Sequence, residues 1–213
     1  MTLIRQDDFI QSIADALQFI SYYHPADFLR GMGEAWKKEQ NPAAKDAITQ
    51  ILVNSRMCAE GQRPICQDTG MVVVFLKVGM DIQWDAQLSV TQMVNEGVRQ
   101  AYSNPDNILR YSMVNDPLGA RSNTRDNTPA IIHMELVAGH TVEIKLAAKG
   151  GGSENKSRFT VLNPSGSLTG WVLEQVPQMG AGWCPPGMLG IGVGGSAEKA
   201  MLLAKESLME PIN

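Results

Sequence analysis

The residues best suited to chemistry lie in the stretch R-P-I-C-Q-D-T-G, from Arg63 to Gly70. Cys66 precedes an amide, a carboxylate, a hydroxyl and a glycine, whereas a buried structural cysteine usually has apolar neighbours. Gly70 allows a tight turn into the apolar run M-V-V-V-F-L-K-V. Functional loops often lie at such junctions in α/β proteins. The stretch is therefore either a polar loop that enters a strand or a cysteine ligand beside groups that read a substrate.

A second cysteine lies in the glycine-rich stretch G-A-G-W-C-P-P-G-M-L-G-I-G-V-G-G. Cys184 precedes a proline, an order that recurs at iron–sulfur ligands, where proline stiffens the chain and removes a backbone donor. A Gly/Pro turn before a strand is the alternative interpretation. The third cysteine, Cys58, follows Ile51 at helical spacing, and we expect it to pack as a thiol rather than to bind a metal.

Two further stretches are candidates for binding an anion. The glycines of A-A-K-G-G-G-S-E-N-K-S can form a backbone nest for a carboxylate or a phosphate, although a flexible turn has the same composition. Their spacing matches neither a P-loop nor a dinucleotide fingerprint. Arg110, in D-N-I-L-R-Y, is a candidate clamp for a carboxylate, although a lone arginine is more often a surface residue. No histidine and cysteine spacing suits zinc, and no Ser-His-Asp arrangement is readable.

Composition excludes several classes of protein. The net charge of −4 and the scattered basic residues argue against a nucleic-acid surface. Three widely separated cysteines indicate a reducing compartment rather than a disulfide scaffold. The sequence has no secretory h-region and no apolar run that could span a membrane. We therefore expect a cytoplasmic protein that binds neither nucleic acid nor membrane.

The patterns that must position these residues predict a mixed α/β fold. A helical segment, residues 1–62, is expected to pack on a mixed-sheet α/β body, residues 63–213, within one structural domain. Asn41 and Pro42 predict the start of a helix that ends near Gly61. Strands are predicted at 71–78, at 130–137 and 141–147 around the turn 138–140, and at 188–193. Further helices are predicted after Ser89, at 168–176 and after Ser196.

The three motifs together resemble a known family. R-P-I-C-Q-D-T-G, A-A-K-G-G-G-S-E-N-K-S and G-A-G-W-C-P-P-G, in this order, resemble the class I, iron–sulfur-dependent fumarate hydratases over nearly the whole chain. The resemblance implies a [4Fe-4S] hydro-lyase that interconverts fumarate and (S)-malate, with an open iron acting as Lewis acid on the substrate. The iron–sulfur L-tartrate dehydratase α chain shares the two cysteine motifs but lacks the S-E-N-K-S continuation, so we expect fumarate with tartrate as the alternative.

The resemblance also implies roles for individual residues. Cys66 and Cys184 match two of the three cysteines that hold the cluster. Gln67 and Asp68 match residues that contact the substrate, and Asp68 would hydrogen-bond its hydroxyl as a catalytic group. Arg110 matches an arginine that binds a substrate carboxylate, and Gly152 matches a backbone contact to the substrate.

Part of the family pattern is missing from these 213 residues. The third cluster ligand and the catalytic base lie downstream of the Cys-Pro-Pro motif in the family. We therefore expect the N-terminal part of a longer enzyme, inactive alone, completed by a C-terminal half or by a β-type subunit, and commonly a homodimer. The alternative from another class is a non-catalytic α/β module that binds an anion through Lys149–Lys156 and uses its cysteines only for packing.

Overall fold

The computed structural model describes residues 2–184 and 186–212 of the 213-residue chain. It combines helices with mixed sheets, which confirms the predicted α/β fold class. The contacts divide the chain into two compact units. Residues 1–149 with 211–213 form the first unit, and residues 150–210 form the second. The predicted division after residue 62 stays a prediction.

Three helices open the first unit after a short strand, β1 (Thr2–Arg5): α1 (Gln6–Tyr22), α2 (Ala26–Lys38) and α3 (Pro42–Gly61). The predicted start of α3 is confirmed, because the Asn41 side chain accepts hydrogen bonds from the backbone N–H groups of Ala43 and Ala44. The helix ends at Gly61, where Gln62 takes the left-handed conformation with φ of 48°.

The main sheet has three strands, with β2 (Met71–Gly79) between β4 (Ile131–Val137) and β5 (Val142–Lys149). β2 pairs parallel with β4 and antiparallel with β5. The valines at 72, 73 and 74 of β2 are fully buried, which confirms the prediction that this strand is buried on both faces. The turn 138–140 joins β4 to β5, which the sequence predicts to be neighbours. In the structure they are not adjacent, because β2 lies between them and pairs with both.

One short sheet was not predicted from the sequence. β1 pairs parallel with β3 (Ile82–Asp85), in the register Thr2 to Ile82 through Arg5 to Asp85. The prediction that the first 62 residues are helical is therefore wrong at Thr2–Arg5. Four residues are too few to show a period, and the partner strand lies about 80 residues away in the sequence.

The core of the first unit lies between α1, α4 (Val90–Tyr102) and the main sheet. The predicted start of α4 is confirmed by a capping box, in which Ser89 and Gln92 each accept a hydrogen bond from the other's backbone N–H. Gly97 faces α1 so closely that an added Cβ would lie 2.6 Å from the Ile13 Cβ. Helix α4 therefore packs on α1 through a glycine.

The second unit contains α5 (Gly151–Glu154), α6 (Leu168–Gln178), a 3-10 turn (Ala181–Trp183) and α7 (Ala197–Ser207). The helices predicted at 168–176 and after Ser196 are confirmed. The strand predicted at 188–193 is wrong, since these residues, all described, belong to no strand. An added Cβ at Gly190 or Gly192 would lie 2.0 Å from a carbonyl oxygen of α7. These glycines bring the backbone onto a helix rather than into a sheet.

Within residues 2–184 and 186–212, no helix combines the length and the apolar character needed to cross a membrane.

The close packing of α1 on α4 predicts opposite effects at two helical glycines. We expect Gly97→Ala to lower the free energy of unfolding by about 1–2 kcal/mol, because overpacking outweighs the better helix propensity of alanine. Gly33→Ala on α2 is the matched control, since its Cβ would meet no described atom within 4 Å. We expect a gain of about 0.5–1 kcal/mol there. Denaturant unfolding of both variants checks the pair, and equal effects would contradict the packing.

Candidate active site

The candidate site begins in the loop between α3 and β2, residues 62–70, which we call the site loop. The backbone N–H of Ile65 donates to the Ser21 carbonyl at 2.8 Å, and the Asn54 side chain donates to the Ile65 carbonyl at 2.9 Å. Helices α1 and α3 thus hold the loop just before Cys66. An irregular segment can be placed reproducibly in this way because its backbone groups find fixed partners.

Cys66 is an exposed, free thiol in the middle of the site loop. The thiol donates a hydrogen bond to Gln67 Oε1 at 3.3 Å, and its Sγ accepts one from the backbone N–H of Asp68 at 3.4 Å. The amide of Gln67 and the backbone of Asp68 therefore lie directly beside the sulfur predicted to bind a metal. A cysteine must be accessible to bind a metal, and the exposed Cys66 meets that requirement.

Thr69 and Tyr102 connect the site loop to its surroundings. The Tyr102 hydroxyl donates to the Thr69 carbonyl at 2.7 Å, and the Thr69 hydroxyl donates to the Arg110 carbonyl. Tyr102 is only 1% exposed, and burial raises the pKa of its phenol, with the nearby charge of Asp68 raising that pKa further. The structure therefore brings the backbone of Arg110 to the site loop, while the arginine itself is exposed.

Gly70 closes the site loop against β5. Its φ is +76°, and an added Cβ would lie 2.7 to 2.8 Å from backbone atoms of Lys149. The register of β2 on β5 pairs Met71 with Lys149, the last residue of β5. Strand pairing thus places the end of R-P-I-C-Q-D-T-G against the lysine of A-A-K-G-G-G, although the two are about 80 residues apart in the sequence.

The second unit brings the other two predicted site residues together. An added Cβ at Gly152 would lie 2.9 Å from the Gly182 carbonyl oxygen, two residues before Cys184. Cys184 is exposed and free, with φ of 61° and its N–H donating to the Ala181 carbonyl at 3.0 Å. Pro185, which belongs to the predicted Cys-Pro-Pro motif, lies outside the described residues.

The glycine motif is more regular than the sequence indicates. Gly151–Glu154 forms one helical turn, and the Ser153 hydroxyl donates to the Gly150 carbonyl at 3.2 Å. Glu154 pairs with Lys205, which holds α7 against this turn. A Cβ at Gly182 would lie 2.9 Å from Lys156 Cε, so the lysine stem covers the 3-10 turn.

The cysteines fall into two classes. Cys58 is 6% exposed, and its Sγ lies 3.6 Å from Asn54 Oδ1 and from the Pro64 carbonyl, which confirms the expectation that it packs as a thiol. Cys66 lies in the first unit and Cys184 in the second. In the described part of the chain, no three His, Cys, Asp or Glu residues form a group that could hold a metal. Cysteine thiolates are the usual ligands of iron–sulfur clusters, and Cys66 and Cys184 are two of the three cysteines that the resemblance of the motifs implies.

Sequence reasoning missed two residues that hold the site loop. Tyr102 falls on the apolar face of α4, where the sequence does not distinguish it from an ordinary aromatic residue of the core. Asn127 belongs to D-N-T-P, which reads as an ordinary turn, yet it is fully buried and contacts Gly70. For Asn127 the sequence shows only a polar residue type, and it does not show that this residue is buried.

Comparison with known proteins agrees with the resemblance of the three motifs. The family model of fumarate hydratase (Fumerase) matches residues 10–213. A protein of Methanocaldococcus jannaschii named "Putative L(+)-tartrate dehydratase subunit alpha" is 34% identical over 207 residues, covering 94% of this chain and 72% of the relative. The L(+)-tartrate dehydratase subunit alpha of Escherichia coli K12 is 27% identical over 207 residues, covering 94% of this chain and 66% of the relative.

These matches define the class of the protein as a hydro-lyase. The chain belongs to the fumarate hydratase (Fumerase) family, as the resemblance of its three motifs predicts.

The buried phenol of Tyr102 predicts a pH dependence of stability. Its folded pKa lies above the ordinary value of 10.0, so its contribution is full below pH 10 and is lost as the pH rises, because the unfolded chain ionises first. Tyr102→Phe should cost about 1–2 kcal/mol at pH 7, since the Thr69 carbonyl loses its donor. Unfolding free energies measured from pH 7 to 11 should show this difference shrinking above pH 10. Tyr23→Phe, at an exposed position, is the control, and a constant difference for Tyr102→Phe would contradict the assignment.

Proposed function

We propose that this chain is the α-type part of an iron–sulfur hydro-lyase that acts on a four-carbon dicarboxylate. Membership of the fumarate hydratase family supports the reaction class. The observation that carries the proposal is the arrangement of the site loop, in which the exposed Cys66 sulfur contacts Gln67 and the backbone of Asp68. The hydrogen bond from the Thr69 hydroxyl to the Arg110 carbonyl brings the backbone of a cationic residue to the same loop.

The names of the relatives favour L(+)-tartrate over fumarate as the substrate. Both curated relatives described above are named as tartrate dehydratase α subunits, which supports the alternative reading of the motifs better than the fumarate reading. Tartrate carries hydroxyl groups on both central carbons, so loss of one water gives the enol of oxaloacetate. Reversible hydration of fumarate to malate is the second candidate, and the S-E-N-K-S continuation of the glycine motif supports it.

Cys66 and Cys184 would hold the cluster as thiolate ligands, with the third cysteine supplied from outside these 213 residues. A bound [4Fe-4S] cluster would supply a Lewis acid that polarises the substrate hydroxyl. Cys58 has no part in this role, because it is buried on α3.

The polar residues of the chain would bind and orient the substrate. The Arg110 guanidinium would take one carboxylate with two parallel hydrogen bonds. The Asp68 carboxylate would accept a hydrogen bond from the substrate hydroxyl and so hold its proton at Oδ, while the Gln67 amide contacts the same end. The backbone N–H of Gly152 would contact the substrate where a Cβ is excluded.

A second polypeptide segment would complete the enzyme. The relatives are named as α subunits, which supports a β-type subunit as the partner, and a C-terminal half of the same enzyme is the other form. A homodimer and a cytoplasmic location belong to the same proposal. A module that only binds anions would need no completing partner and no iron, so the two classes differ in a measurable property.

Iron content should separate the three cysteines. In the assembled enzyme, meaning this chain with its completing segment or subunit and prepared anaerobically, we expect Cys66→Ser and Cys184→Ser each to lose most of the iron and sulfide and to abolish turnover. Cys58→Ser is the control and should keep its iron, because its cost is a core substitution of about 1–3 kcal/mol. Iron counted per chain, with visible absorption, is the measurement. Full iron in the first two variants would show that neither cysteine binds the cluster, and an unchanged protein that takes up no iron would support the non-catalytic module.

Substrate assays of the same enzyme should test the second part of the proposal. Turnover of L(+)-tartrate to oxaloacetate should exceed turnover of fumarate and malate. Arg110→Lys should raise KM by about 10- to 100-fold, because a lysine cannot make the two parallel bonds, each about 1.5–3 kcal/mol when charged. Arg56→Lys, on the exposed surface of α3 beside Glu60, is the matched control. An unchanged KM in Arg110→Lys would remove this arginine from the site.

A further inference from the structure

Asn127 lies in the chain between α4 and β4 and is 0% exposed. Its Oδ1 accepts hydrogen bonds from the backbone N–H groups of Ser112, at 2.7 Å, and Met113, at 3.2 Å. Its Nδ2 donates to the Gly70 carbonyl at 3.0 Å. One buried side chain thus joins two segments of backbone that are about 40 residues apart in the sequence.

These two segments carry the candidate site residues of the first unit. Gly70 ends the site loop, which carries Cys66, Gln67 and Asp68, and Ser112 follows Arg110 by two residues. The Thr69 hydroxyl bonded to the Arg110 carbonyl makes a second connection between the same segments. Two separate attachments restrict both the distance and the relative rotation of the segments, whereas either one alone would leave a pivot.

The residue type at this position follows from the geometry. The φ of Asn127 is +60°, in the left-handed region that asparagine tolerates better than most residues with a side chain. An amide supplies an acceptor for two N–H groups and a donor for one carbonyl from the same short side chain. Aspartate keeps the acceptor but has no donor when ionised, and glycine keeps the backbone conformation but neither contact.

We propose that Asn127 is a positioning residue, which fixes the separation between the Gln67 and Asp68 side chains and the guanidinium of Arg110. This inference rests on the proposed function, in which one group reads a carboxylate and the others read the hydroxyl end of the same substrate. Asn127 would then set the length of dicarboxylate that fits, without touching it. Groups of this kind typically change activity by about 10- to 100-fold when they are removed.

The test compares Asn127→Gly and Asn127→Asp with Gln6→Ala in the assembled enzyme. Gln6 is the matched control because its Oε1 also accepts two consecutive backbone N–H groups, those of Gln87 and Leu88, both at 3.1 Å. Three readouts are measured for each variant: unfolding free energy, kcat and KM for L(+)-tartrate and fumarate, and backbone hydrogen exchange by segment.

We expect Asn127→Gly to lower kcat/KM by about 10- to 100-fold and to speed exchange at residues 66–70 and 110–113. Gln6→Ala should lose stability with kcat/KM within about twofold of the unchanged enzyme. If Asn127→Gly fails to fold, Asn127→Asp decides, since it should keep the bonds to Ser112 and Met113 and speed exchange at 66–70 alone.

A loss of kcat/KM no larger than that of Gln6→Ala, or unchanged exchange at both segments, would overturn the positioning role. Exchange needs no substrate, so its result is independent of turnover. An unchanged enzyme that acts on neither substrate would refute the proposed function instead, and the exchange data would still decide whether Asn127 holds the two segments.

Discussion

The pairing of β2 on both of its edges is the constraint on which the candidate site of the first unit depends. Since β2 pairs with β4 on one edge and with β5 on the other, a shift of its register would disrupt the hydrogen bonds of both pairings at once. That register pairs Met71 with Lys149 and leaves no space for a Cβ at Gly70. The site loop therefore ends at a defined point, and the residues just before it are placed by the sheet rather than by the loop itself.

Hydrogen bonds from side chains to backbone carbonyls fix the remaining part of the site loop. Tyr102 and Asn127 reach it from within the core, and Thr69 connects it to Arg110. Each buried polar group would cost free energy if it lost its partner, so the contacts are retained together or disrupted together. The exposed Cys66 sulfur consequently lies on a segment whose backbone is held from several sides, as its proposed role as a metal ligand would require.

The parts predicted correctly from the sequence are those set by neighbouring residues. The Asn41–Pro42 and Ser89 helix starts need only a side chain and the next backbone N–H groups, and the apolar run of β2 shows its burial directly. The pairing of β1 with β3 and the position of β2 between β4 and β5 depend on residues far apart in sequence. The motifs indicated the cysteines, but the D-N-T-P turn gave no sign that Asn127 is buried, because turns of that composition are usually exposed.

The structure also explains why the glycine motif is a poor guide to the substrate. The S-E-N-K-S continuation is the feature that favours fumarate, yet Glu154 within it pairs with Lys205 of α7, and the Lys156 stem covers Gly182. Two of its residues thus stabilise the second unit, and a protein can need them whichever dicarboxylate it binds. Malate and tartrate both carry two carboxylates, and tartrate has one more hydroxyl. Discrimination between them must therefore come from groups that contact this hydroxyl, because burying it without a hydrogen-bond partner would cost free energy.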